Sequence, residues 1–141
     1  MKRLQDIAEL LVASWVLSRD ADPGPLPTTP GLLDRALQSA LLEMGAFPPS
    51  WRDRLHFVDT QTGLRCAELL SVIGAAQRAQ FTMEPNSSYE TTQIKISANA
   101  ARALLRRNSV SLDDVRKWGE KLHDAVAQAT SVMRDFPGSR V

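Results

Sequence analysis

Six residues in the last third of the chain, Val115, Trp118, Leu122, Ala125, Ala129 and Val132, recur at alternating spacings of three and four. Only a long α-helix gathers such a series into one apolar seam, here about two and a half heptads. Ser111 stands where an N-cap hydroxyl is needed, and Asp114 three positions later completes a start like a capping box. Asp113 and Asp114 also suit the positive end of the helix dipole. Phe136-Pro137-Gly138 stops the helix, so the pattern predicts a helix over 111–135 and a flexible tail over 137–141. A helix this long with one apolar seam needs other helices to cover it, which makes a mainly helical fold the starting expectation.

The rest of the chain agrees. Leu4, Ile7, Ala8, Leu11 and Trp15 share helical spacing, with Arg3, Asp6 and Glu9 opposite, and Leu10, Val16 and Leu17 widen the apolar surface. A stripe this wide implies a helix contacted on two sides. Residues 19–30 hold four prolines and a glycine and form an extended connector, because proline lacks a backbone donor and fixes φ. Thr29 and Pro30 suit the start of a second helix with the stripe Leu33, Ala36, Leu37, Ala40, Leu41 and Met44, ended by Gly45. Pro48 and Pro49 prevent continuation, and a short helical turn can follow at Ser50–Asp53.

Phe57, Val58 and Thr60 favour a strand ending at Gly63. From Leu64 to Gln80 the helical spacing returns, with Cys66, Leu69, Leu70 and Ile73 on one face and Gly74 marking a close helix contact. Residues 91–97 alternate polar and apolar, the clearest strand signal in the chain, and Ala98–Arg107 reads as a short helix. The expectation is a mainly α fold of about five helices. A small two-stranded element joins 55–62 to 91–97. At 141 residues, with 43% hydrophobic and 23% charged residues, one globular domain over 1–141 accommodates all of it.

Candidate chemistry is sparse. Cys66 is the sole cysteine, so no intramolecular disulfide and no cysteine-based metal site can form. His56 and His123 lack metal-ligand neighbours at helical spacing and read as surface or cap histidines. A Cys66–His56 nucleophilic pair is conceivable in space, but nothing in the local sequence supports it. There is no Gly-rich phosphate loop. No cofactor, metal or catalytic set is expected, and the alternative is an enzyme whose site assembles from dispersed residues. No apolar stretch is long enough to span a membrane. Asp6 and Glu9 break what would otherwise be the apolar part of a signal peptide, so a cytoplasmic location is expected.

Two binding modes remain. The first is a non-enzymatic interaction or regulatory protein that contacts a protein partner, or pairs with itself as a homodimer. Its candidate contact residues are Val115, Trp118, Leu122, Ala125, Ala129 and Val132 on the last helix and Leu10 and Leu17 on the first. Trp51, flanked by Arg52 and Arg54, is a further hot-spot type of residue. The second is a DNA-binding transcriptional regulator. Residues 1–90 carry 8 Lys/Arg against 11 Asp/Glu, whereas 91–141 carry 9 against 5, so the C-terminal part is mildly basic. The order strand, helix, turn, helix over 91–135 resembles a ribbon-helix-helix unit, which pairs one strand from each of two chains in the major groove. That resemblance implies base contacts by Gln93 and Lys95 and phosphate contacts by Arg102, Arg106 and Arg107. The sequence departs from the pattern in its much longer final helix and in about ninety residues of preceding structure. A helix-turn-helix using the last two helices would instead place Asp113 and Asp114 against phosphate, where they repel.

Overall fold

The computed structural model describes residues 4–19, 23–27, 29, 31–43, 54–61, 63–78, 83–85 and 91–135. Among them are five helices: α1 (Leu4–Leu17), α2 (Leu32–Glu43), α3 (Leu69–Arg78), α4 (Ala98–Arg107) and α5 (Leu112–Asp135). Five short strands accompany them: β1 (Leu26–Pro27), β2 (Phe57–Thr60), β3 (Gly63–Cys66), β4 (Met83–Pro85) and β5 (Thr91–Ile94). The fold is mainly α with two small antiparallel sheets, as the helical periodicities imply.

The centre is α1. Every residue from Ile7 to Trp15 is buried, and α5, α3 and α4 pack around it. A helix sheathed this way cannot keep a polar face, and Glu9, expected opposite the stripe, is fully buried. It is tolerated because three side chains satisfy it: Gln5 Nε2 at 3.3 Å, Asn108 Nδ2 at 3.1 Å and Arg107 at 3.3 Å. The long helix α5 lies between α1 and α2, so both of its apolar flanks are covered within the chain.

The approach of α5 to α1 depends on Gly119. A Cβ there would collide with the Ser14 carbonyl oxygen and lie 2.5 Å from Ser18 Cβ. Ser14 and Ser18 turn their hydroxyls back to the carbonyls of Leu11 and Trp15, which satisfies them inside the contact. His123, one turn further along α5, stacks on the Trp15 ring with centroids 3.6 Å apart, and its Nε2 lies 2.9 Å from the Trp15 carbonyl oxygen. Trp15 in turn donates its indole N–H to the Gly24 carbonyl at 3.0 Å, fastening the proline-rich connector to the core. His123 is thus a core group and not the surface or cap histidine that its sequence context suggests.

The strand pairing corrects the sequence-based expectation. Residues 57–60 do not meet 91–94. Phe57–Thr60 folds back on Gly63–Cys66 as a hairpin, with Thr60 opposite Gly63. Gly63 takes φ +111°, a conformation a side chain would strain. β5 instead lies in the middle of a second sheet of order β1-β5-β4. Pro27 sits on the edge strand β1, where its missing N–H is harmless. The helix expected from Leu64 begins only at Leu69, because Gly63–Cys66 is used in the hairpin, and Leu70 becomes 85% exposed. Asp34 bolts this hairpin to α2. One of its oxygens accepts the Gly31 N–H at 3.0 Å and the other the Cys66 N–H at 2.6 Å. The segment 44–53, with its expected helix end and short helical turn, and the tail 137–141 lie outside the described residues.

Candidate functional site

Most residues expected to meet a partner are internal. Val115, Trp118, Leu122, Ala125 and Ala129 are all buried in the core, as are Leu10 and Leu17. Only Val132, at 39%, keeps substantial exposure. The heptad seam therefore serves α1 and α2 of its own chain. The physical reason is that an all-round apolar α1 has to be enclosed, and among the described helices the 24-residue α5 is long enough to run along it and α2 together.

The nucleic-acid candidates divide. Gln93, Lys95, Arg102 and Arg106 are exposed. Arg107 is engaged with the buried Glu9 carboxylate. β5 is hydrogen-bonded on both sides, by β1 and β4, so it offers no free edge for the intermolecular strand pairing that a ribbon-helix-helix unit requires. The face of α5 is committed to the core, and Asp113 and Asp114 are exposed at its start, so it does not offer a basic recognition helix either.

His56 and Cys66 do come close, with Glu68 between them. The Glu68 carboxylate lies 2.7 Å from His56 Nδ1, accepts the His56 backbone N–H at 2.7 Å, and lies 3.9 Å from Cys66 Sγ. Partial burial works against the charge of Glu68, but the bonds from His56 outweigh it and hold the carboxyl below its ordinary value. The order of the three groups is wrong for a nucleophilic relay, since the carboxylate and not the imidazole faces the sulfur. Burial pushes the Cys66 thiol up to about 11, helped by the carboxylates of Glu68 and Asp34. A thiol held there is protonated at neutral pH and is a poor nucleophile. Sequence spacing could not show this cluster, because Glu68 joins His56 only through the hairpin.

Two surface features lie elsewhere. The first is a groove of about 300 Å³ lined by Gln38, Leu41, Leu42, Leu55 and Phe57, between the end of α2 and the start of the hairpin. Leu42 stands beside it 79% exposed. The second is a hollow of about 450 Å³ at the α4–α5 elbow, lined by Asn99, Arg102, Leu105, Arg106, Val110 and Leu112. The Leu42 groove and the part played by Asn99 escaped sequence reasoning. Leu42 lies off the stripe formed by Leu33, Ala36, Leu37, Ala40, Leu41 and Met44, so the helical spacing gave no reason to single it out.

Among the described residues no group of three His, Cys, Asp or Glu side chains is placed to hold a metal ion, and no helix is long and apolar enough to cross a membrane. Comparison with protein-family models, with curated proteins and with solved structures gives no match.

Proposed function

We propose that this protein acts by binding, as a small helical interaction protein of the cytoplasm that pairs with a second copy of itself through the groove at the end of α2. The observation that carries this reading is Leu42, which is 79% exposed on the rim of a groove that it lines together with Gln38, Leu41, Leu55 and Phe57. A two-fold interface needs a single patch that holds both a protrusion and its complement, so that each copy fills the other. This patch holds both: the leucine projects and the groove beside it is apolar. Burying a leucine side chain contributes about 2 kcal/mol, and the two-fold axis doubles it. The contact so formed uses one helix end and a hairpin, not the seam of α5.

Sedimentation velocity over a range of protein concentrations tests this. The unaltered chain is expected to shift from monomer to dimer as concentration rises, and Leu42→Asp to stay monomeric with its circular dichroism unchanged. A chain that remains monomeric at the highest concentration, or a dimer that Leu42→Asp leaves intact, overturns the reading.

A further inference from the structure

The elbow between α4 and α5 is a separate site with a different chemistry. Asn99, Arg102 and Arg106 are spaced by three and four residues and form one stripe on the exposed side of α4. Neither Arg102 nor Arg106 has a carboxylate or any other polar partner among the described residues, whereas Arg107 beside them is tied to Glu9. The floor of the hollow is apolar, made by Leu105, Val110 and Leu112.

The elbow is also held in shape before anything binds. The Val110 N–H reaches back to the Leu105 carbonyl at 3.1 Å and the Ser109 N–H to that of Arg106 at 3.3 Å, with Ser109 at φ 57°. This is a Schellman turn, and its customary apolar contact, between Val110 and Leu105 positions, is the floor itself. Asn108, buried beneath, is clamped by Glu9 at 3.1 Å and by the Leu104 carbonyl at 2.9 Å. A site already in its bound shape loses less entropy on association.

We propose that this elbow binds an acidic protein segment. Its carboxylates lie against Arg102 and Arg106, and a neighbouring apolar side chain rests on Leu105, Val110 and Leu112. A protein segment fits better than a nucleic acid because the basic surface is narrow. Asp113 and Asp114 stand exposed just past Leu112, and the outer face of α5 mixes Arg116, Lys117 and Lys121 with Glu120 and Asp124. A phosphate chain crossing the rim would meet like charge, whereas a carboxylate pair confined to the two arginines would not.

The test is an NMR titration of the ¹⁵N-labelled full chain with three probes. One is a short helical peptide with two glutamates one turn apart around a leucine. The second replaces that leucine by glutamine, and the third is a random-sequence DNA duplex. Peptide-induced shifts are expected at Asn99, Arg102, Arg106, Val110 and Leu112. Affinity is expected to fall about tenfold for the Arg102→Glu/Arg106→Glu protein and about fivefold for the glutamine peptide. Both arginines are exposed and have no partner among the described residues, so the double variant should keep its melting temperature, and Arg102→Gln/Arg106→Gln serves if it does not. Shifts confined to another surface, or equal binding of the two peptides, overturn the proposal. A duplex that displaces the peptide with a steeper salt dependence also overturns it and assigns the elbow to nucleic acid.

Discussion

Cys66 shows how far a residue's surroundings decide its chemistry. Its position near His56 invites a nucleophilic reading, but the thiol is buried and faces carboxylates, which push it up to about 11 from an ordinary value of 9.0. The thiolate fraction at neutral pH then falls about a hundredfold, and alkylation should slow by a similar factor. Iodoacetamide labelling of the native chain at pH 8 is expected to be far slower than of the urea-unfolded chain. Labelling at equal rates in the two states would show the thiol to be accessible and ordinary. Asp34 and Glu9 make the same point for acids. Glu9 falls opposite the apolar stripe in the sequence, yet it and Asp34 are both buried, with backbone or side-chain donors reaching them. Gly31 and Gln5 are near in sequence, but the Cys66 N–H and the Asn108 amide come from 32 and 99 residues away, a distance that no local pattern spans.

At the scale of elements, capping and periodicity placed the two C-terminal helices well. Ser111 accepts the Asp114 N–H at 3.1 Å as the capping-box pattern implies, whereas Ser97, read as the end of the strand, instead caps α4 at the Ala100 N–H, also at 3.1 Å. Strand partners were not legible. Alternation marks a strand but carries no information about its neighbour, and β5 proved to pair both with the nearby β4 and with β1 from the far end of the chain. Nor did the seam reveal whether its complement lay in this chain or another, because the two produce the same apolar spacing. The contact between α1 and α5 turns on Gly119, which has no signature in a helical stripe. Gly119→Ala would drive a methyl into the Ser14 carbonyl and Ser18, and should cost about 3 kcal/mol. Urea unfolding monitored by circular dichroism measures it. An alanine variant as stable as the original chain would mean that α5 can shift away from α1 without loss.

For the whole molecule, one titratable group links the core to pH. Burial holds His123 below its ordinary value of 6.5; the Trp15 carbonyl pulls the other way without cancelling it, and the lesser effects of the Arg19 cation and Asp124 oppose each other. The unfolded chain therefore takes up a proton more readily than the folded one as pH falls through 6.5. Stability should be fully present above pH 6.5 and decline on acidification until the pH passes the depressed folded value. Melting temperatures across that window test this, with His123→Gln as control. The decline should be smaller in the variant, and an identical decline in both proteins would remove His123 as the cause. The sequence by itself determined the helical class, the Ser111 cap and the presence of a broadly apolar first helix, because each rests on local periodicity or on one residue's backbone chemistry. Only the tertiary structure decided which faces met each other. The burial of the α5 seam, the pairing of β5, the protonation of Cys66 and the exposure of Leu42, Arg102 and Arg106 are set by contacts between distant segments, and such contacts leave no local trace in the chain.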